Sequence, residues 1–128
     1  MTKIIIWICF LLFSTTAFAL NFDDTIFDQK CDKTSQRCVK VGYYGRNTRS
    51  ALIKVSQDGG NTWTDFMYLC VTGGPHIHNV LDTVSTDDSG LRWHAEGLCM
   101  IGFPQYAVTL AADSYDGGVT WSWSTWLR

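Results

Sequence analysis

One eight-residue pattern occurs twice in this chain, as SQDGGNTW at 56–63 and as SYDGGVTW at 114–121. A weaker copy, TDDSGLRW, lies between them at 86–93. All three fit Ser/Thr-x-Asp-x-Gly-x-x-Trp, and they begin 30 and 28 residues apart (86 − 56 and 114 − 86). A nearly fixed period of this size is typical of repeat architectures, in which each copy forms one small unit of the fold.

The pattern itself predicts a tight turn between two antiparallel strands. Its Asp can accept hydrogen bonds from amides later in the same turn, and its Gly can adopt a positive φ without steric cost. Its Trp can fold back over the hairpin, where burial of an indole is stabilising without any chemistry. We therefore predict structural roles for Ser56, Asp58, Gly60, Trp63, Thr86, Asp88, Gly90, Trp93, Ser114, Asp116, Gly118 and Trp121.

A second feature indicates three units. Each unit begins with a short apolar segment that carries a cysteine, at Cys38, Cys70 and Cys99. A variable loop, a second strand, the eight-residue turn and a Trp-led strand follow. β-Branched and aromatic residues dominate these segments, and no helical period of useful length appears after the first nineteen residues. The sequence predicts an all-β domain over 38–128, preceded by an N-terminal arm or first edge strand within 20–37.

The eight-residue pattern resembles the Asp-box, or bacterial neuraminidase repeat, of sialidases and sortilin-type receptors. The resemblance implies propeller-like blades whose turns lie at the periphery. Blades usually have four strands, and four to eight of them close a ring, so three units of about 29 residues cannot close one alone. We expect three Asp-box β-hairpin repeats that form partial blades, or blades completed by oligomerisation. A compact barrel or sandwich is the alternative.

The residues that perform catalysis in sialidases are not matched. The Phe/Tyr-Arg-Ile-Pro sequence of that family does not occur, no arginine follows its pattern, and Glu96 is the only glutamate. A two-carboxylate glycosidase needs a facing Asp pair, whereas most Asp residues here are assigned to turns. His76 and His78, with His94, could bind zinc or copper if a strand placed them on one face, but the pair follows a Gly-Gly-Pro loop. We predict no enzymatic activity, no cofactor and no metal site.

The first nineteen residues read as a signal peptide. Lys3 is followed by an apolar run over 4–13 and by the small-x-small site Ala17-Phe18-Ala19; a signal anchor is the alternative. We expect export to a periplasm or out of the cell. Without Lys3, nine Lys and Arg (10 − 1) face twelve acids and form no cluster. Nucleic acid and membrane surfaces are therefore not predicted as partners.

Four cysteines follow the signal peptide: Cys31, Cys38, Cys70 and Cys99. An even number in an exported chain predicts two disulfides, for which three connectivities exist. Cys31 and Cys38 are close enough in sequence to clip a hairpin, and Cys70 would then pair with Cys99. Tetrahedral zinc is the rival use, but no Cys-x-x-Cys pair is present.

Aromatic residues outside the turns are candidates for ligand binding. Tyr43, Tyr44 and Arg46 lie in a predicted loop, and Trp126 points to the face of its strand opposite that of Trp123. Exposed Tyr and Trp beside Arg are typical of surfaces that bind sugars or proteins; packing on the core or on a neighbouring chain is the alternative.

The sequence thus predicts an exported, non-enzymatic β-repeat module that recognises a glycan or a protein surface. An assembly subunit that completes a propeller with itself or with a partner is the second hypothesis. A sialidase-like glycosidase is the third.

Overall fold

The computed structural model of the chain describes residues 23–46, 48–70, 78–101 and 106–127. These residues contain no helix and form eight strands: β1 (Asp24–Cys31), β2 (Cys38–Tyr44), β3 (Ser50–Ser56), β4 (Thr64–Tyr68), β5 (Asn79–Thr86), β6 (Trp93–Ile101), β7 (Tyr106–Ser114) and β8 (Ser122–Leu127). The all-β prediction is confirmed. The predicted signal peptide, 1–19, lies outside the described residues. Within those residues, no helix has the length and apolarity needed to cross a membrane.

The strands form two antiparallel sheets, each with its strands in chain order. The first sheet is β1-β2-β3-β4 and the second sheet is β5-β6-β7-β8. The N-terminal segment therefore contributes an edge strand, one of the two forms expected for it. Both predicted disulfides are confirmed: Cys31–Cys38 closes the β1–β2 hairpin with its Cα atoms 4.0 Å apart, and Cys70–Cys99 joins the two sheets at 6.2 Å.

Two predicted boundaries are wrong. Tyr43 and Tyr44 belong to β2 and pair with β1 and β3, so the loop begins after them. The Trp-led strand of the second unit and the cysteine segment of the third are one continuous strand, β6. The physical reason is that no turn residue other than Gly97 separates Trp93 from Cys99, and a single glycine does not end a paired strand. The described residues divide into two four-stranded halves instead of three units.

The first two strands of each sheet share the same irregularity, a β-bulge opposite a glycine. A β-bulge interrupts β1 between Ile26 and Asp28, and another interrupts β5 between Leu81 and Thr83. The offset is 55 residues (81 − 26 and 83 − 28). The glycines that face these bulges follow the same offset, since Gly42 pairs with Ile26 and Gly97 pairs with Leu81.

The turns at 56–63 and 114–121, which match the eight-residue pattern best, are called the strong turns. They begin 58 residues apart (114 − 56), and the last two strands of each sheet correspond with the same offset. The registers agree with both offsets. Cys38 pairs with Ser56 in the first sheet, and Trp93 pairs with Ser114 in the second. Corresponding positions can therefore be compared residue by residue.

The core lies between the sheets, and the two sheets contribute opposite faces to it. The first sheet buries Val39, Val41, Ala51, Ile53 and Val55, and the second buries Leu81, Val84, Trp93, Ala95, Leu110 and Ala112. By the two offsets, Ala95 corresponds to Lys40 and Ala112 corresponds to Lys54. The face that the second sheet buries is thus the face that the first sheet leaves outside. The contact between the sheets is head-to-tail, or heterologous.

Candidate functional site

The two strong turns have the same internal hydrogen bonds. Asp58 accepts hydrogen bonds from the Ser56 hydroxyl (2.8 Å) and from the Thr62 amide (2.9 Å). Asp116 accepts the equivalent bonds from Ser114 and Thr120, both at 2.9 Å. In each turn the serine oxygen also accepts a bond from the amide of the glycine four residues later. Both carboxylates are occupied by their own turns.

All three indoles fold back over their turns. The Nε1–H of Trp63, Trp93 and Trp121 donates to the carbonyl of the glycine three residues earlier, at 3.1, 2.9 and 3.0 Å. Those glycines have positive φ angles of 97°, 69° and 89°. Trp93 is fully buried, whereas Trp63 and Trp121 are half-buried.

The middle turn uses a different carboxylate from the predicted one. Asp87, and not Asp88, accepts hydrogen bonds from the amide (3.1 Å) and the hydroxyl (2.6 Å) of Ser89. The reason lies in the backbone. Gly59 and Gly117 have φ angles of 73° and 75°, and Ser89 stands at their position in the pattern. A serine adopts a positive φ only at a steric cost, so this turn follows another path.

The turn carboxylates make stability depend on pH. The hydrogen bonds from Thr62, its hydroxyl first, lower the pKa of Asp58 from 3.8 to about 2, and those from Thr120 do the same for Asp116. A lowered folded-state pKa stabilises the fold above the unfolded value of 3.8, and this stabilisation is lost as the pH falls through about 2. We expect the free energy of unfolding to fall over this window, and to fall less steeply in the double variant Asp58→Asn/Asp116→Asn. Chemical denaturation at pH values from about 5 to 2 measures both slopes; equal slopes would contradict the assignment.

The turns meet at one end of both sheets. Within each sheet, a backbone hydrogen bond joins the two neighbouring turns. The Gly59 amide donates to the Gln36 carbonyl at 2.9 Å in the first sheet, and the Gly117 amide donates to the Leu91 carbonyl at 2.8 Å in the second. Between the sheets, Gln57 donates to the Gly117 carbonyl at 2.9 Å. The turns are therefore packed against one another, and the outer sides of the two sheets are the candidate binding surfaces.

The predicted binding residues do not form one cluster. Tyr43 is half-buried, with the Arg49 guanidinium 4.4 Å from its ring centroid, and Arg46 forms an ion pair with Asp23 at 3.3 Å. Tyr44 is 43% exposed on the outside of the first sheet, and Trp126 is 46% exposed on the outside of the second. Their role in binding stays a prediction.

The first outer face is the side of the first sheet turned away from the core. It comprises Asp24, Ile26, Lys40, Gly42, Tyr44, Leu52, Lys54, Asp65 and Met67. A groove of about 470 Å³ crosses it and is also lined by Trp63. Because its members come from all four strands, no local motif in the sequence reveals this face. Only the alternation of Lys40 and Lys54 with buried neighbours hints at it.

Charges on the first outer face are held in place by ion pairs. Lys54 lies between Asp24 (2.8 Å) and Asp65 (3.1 Å). Burial alone lowers the pKa of Lys54, but the hydrogen bonds and charges of the two aspartates outweigh it and leave the pKa raised. The Lys40 ammonium lies 4.2 Å from the centroid of the Trp63 ring, which is within the range of a cation–π contact.

The second outer face is the corresponding side of the second sheet. It comprises His94, Glu96, Leu98, Thr109, Ala111, Asp113, Ser122, Ser124 and Trp126. His94 Nδ1 lies 2.7 Å from Asp113, and Nε2 lies 3.5 Å from Glu96. Burial lowers the pKa of His94, but the two carboxylates outweigh it and raise the pKa above its usual value.

The His94 cluster does not have the geometry of a catalytic triad. Its second ring nitrogen faces Glu96, where a triad would place a serine hydroxyl. Among the described residues, no group of three or more His, Cys, Asp or Glu side chains could hold a metal ion. His76, one of the histidines considered for metal binding, lies outside those residues.

No family model, no curated protein and no solved structure matches this chain. The chemistry of the two outer faces therefore rests on the contacts described above.

Proposed function

We propose that this protein is an exported, non-enzymatic β-sheet module that works by binding a protein surface through its two outer faces. The observation that carries the proposal is the exposed apolar set on the first outer face. Ile26, Tyr44 and Met67 are 38%, 43% and 54% exposed there, although strand positions usually turn polar side chains to water. Grouped exposed apolar residues rimmed by charges mark interaction surfaces.

A non-enzymatic role is supported by the state of the ionisable groups. The turn carboxylates Asp58 and Asp116 accept bonds from their own loops, and the two ring nitrogens of His94 lie 2.7 Å from Asp113 and 3.5 Å from Glu96. A general acid or base needs an atom that faces substrate. The two turn carboxylates instead face donors of their own loops, and both ring nitrogens of His94 face carboxylates.

We also infer that the strong turns are Asp-boxes and that the sheets act as propeller blades. Two observations support this finer interpretation. The turns at 56–63 and 114–121 have the same hydrogen bonds and lie between the third and fourth strands of their sheets. The sheets pack head-to-tail, as consecutive blades must. Export is supported by two disulfides, which persist in oxidising compartments, together with the predicted signal peptide.

A glycan is the second candidate ligand, because the groove on the first outer face combines an indole with charges of both signs. Trp63 lines it together with the Lys54 ammonium and the Asp24 and Asp65 carboxylates. An apolar ring beside a few fixed polar groups is the usual chemistry of a small-ligand site. A glycan array distinguishes this candidate: binding that is lost in Trp63→Ala would favour the glycan over the protein surface.

The lysines of the chain supply a direct test of the proposed function. Lys40 and Lys54 lie on the first outer face, whereas Lys30 and Lys33 lie at the β1–β2 hairpin. We expect an amine-reactive reagent, applied to the producing cells, to modify Lys40 and Lys54 less than in dilute purified protein. Lys30 and Lys33 should react equally in both settings. Mass spectrometry gives the four ratios, and unchanged ratios at Lys40 and Lys54 would refute an occupied first outer face.

A further inference from the structure

We propose that the partner is a second copy of this chain, which binds head-to-tail: the second outer face of one copy packs on the first outer face of the next. This inference rests on the proposed function and names its partner. The contact between the two sheets of one chain is the template for this interface. In that contact the first sheet uses the face that corresponds to the second outer face, and the second sheet uses the face that corresponds to the first outer face.

The internal contact shows what such an interface requires. At its β4–β8 side, Phe66 lies 6.5 Å from Trp121 and Tyr68 stacks on Trp123 at 4.9 Å, measured between ring centroids. By the offset of 58, Trp126 corresponds to Tyr68 and Trp63 corresponds to Trp121. The Tyr68–Trp123 stack therefore corresponds to Trp126 of one copy over Asp65 of the next, and the Phe66–Trp121 contact corresponds to Ser124 beside Trp63. Each pair between copies keeps one of the two aromatic rings, Trp126 on the second outer face and Trp63 beside the first.

Both outer faces carry charged residues at positions that are apolar in the internal contact. Glu96 and Asp113 correspond to the core residues Val41 and Val55, and Lys40 and Lys54 correspond to Ala95 and Ala112. The two central strands of the second outer face present Glu96 and Asp113 around His94, and those of the first outer face present Lys40 and Lys54, of which Lys54 is already paired with Asp24 and Asp65 of the edge strands. Opposite charge on facing surfaces guides association and fixes its register.

The turn end offers a further equivalent contact. Arg37 of the first sheet donates to the Gly90 carbonyl of the second sheet at 3.3 Å. Arg92 stands at the corresponding position of the second sheet (37 + 55), and the carbonyl that corresponds to Gly90 is that of Ser35. Arg92 is therefore exposed at the turn end of the second sheet, where the next copy would place the turn that contains Ser35.

A head-to-tail contact has a consequence for stoichiometry. Heterologous interfaces form closed rings when their rotation closes and open filaments when it does not. With two sheets per copy and four to eight sheets in a closed ring, we expect two to four copies.

Two single variants test the direction of the contact. Met67→Glu alters the first outer face only, and Ser124→Arg alters the second only; both side chains are exposed in the single chain. We expect the wild-type protein to form a closed oligomer and each variant alone to be monomeric. An equimolar mixture should form a dimer and nothing larger, because each variant keeps the face that the other lacks. Val119→Lys, on an exposed turn, is the matched control and should assemble like the wild type.

Light scattering after size exclusion, over about 1 µM to 1 mM, measures these masses and spans tight to weak dissociation constants. Circular dichroism and the Tm establish that each variant is folded, and Lys40→Glu with Trp126→Asp is a second pair if one is not. A monomeric wild type throughout this range overturns the proposal, as does a mixture that stays monomeric. Protection of Lys40 and Lys54 in cells, with a monomeric purified protein, would overturn the self-contact and leave the proposed function intact.

Discussion

Trp93→Ala is expected to lower the free energy of unfolding by about 3–5 kcal/mol, the range for removal of a large aromatic side chain from a packed core. Trp93 is the largest fully buried side chain of the described structure, at 0% exposure, and its indole N–H is bonded to the Gly90 carbonyl. The substitution therefore creates a cavity and removes one of the two donors to the Gly90 carbonyl, the other being the Arg37 guanidinium. For a small domain, such a loss is a large share of the total stability.

Trp63→Ala is the matched control for this experiment. Trp63 makes the same bond to its glycine but is half-buried and lies beside the first outer face. We expect a loss of about 1–2 kcal/mol, because part of its apolar area stays in water. Urea denaturation followed by circular dichroism, with disulfides intact and at one low protein concentration, compares the two variants. Equal losses would mean that Trp93 is not in the core.

Gly97→Ala is expected to cost about 3 kcal/mol or more, at the upper end of the range for overpacking. A Cβ atom at Gly97 would overlap the Val80 carbonyl oxygen and lie 2.7 Å from the Leu81 Cα. Both obstacles are backbone atoms of β5, so they cannot move away by a rotamer change. The variant must separate β5 from β6 at the bulge, where Leu81 enters the core.

The same substitution at Gly42 refines the prediction. A Cβ atom there would overlap the Thr25 carbonyl oxygen in the same manner. Both β1 and β5 are edge strands, but β5 contributes Leu81 and Val84 to the buried core cluster whereas β1 contributes none of its described residues, so β1 can shift at a lower cost. We expect a smaller loss for Gly42→Ala than for Gly97→Ala, and no significant change for Ser124→Ala on the exposed side of β8. Chemical denaturation gives the order, and a Gly97→Ala variant as stable as the wild type would show that the two strands are not in such close contact.

Local features of this chain could be predicted because neighbouring residues determine them. The all-β class follows from short β-branched segments between turn residues, and Cys31 and Cys38 are close enough to pair across one hairpin. The hydrogen bonds of Asp58 and Asp116 also stay within their turns. The error at Asp88 has a local cause as well, since a serine replaced a glycine whose backbone conformation the pattern requires.

Other features depend on how distant strands meet. The sequence predicted three units, but the structure has two four-stranded sheets because the segments that begin at Trp93 and at Cys99 form one continuous strand. Lys54 and Asp24 are thirty positions apart (54 − 24), and only the β1-β2-β3 order brings them within 2.8 Å. The pairing of His94 with Asp113 depends in the same way on the β6–β7 register.

The sequence by itself determined the turns, the strand class and the cysteines that can pair, because these depend on contacts within a few residues. The tertiary structure alone decided which side of each sheet is buried. In a strand, alternate side chains point to opposite sides of the sheet, and the alternation by itself does not say which side is buried. The buried side is the one whose side chains pack against those of the other sheet. That choice placed Lys40 and Lys54 with Asp24 and Asp65 on one outer face, and His94 with Glu96 and Asp113 on the other. It is the basis for the proposed contact between copies.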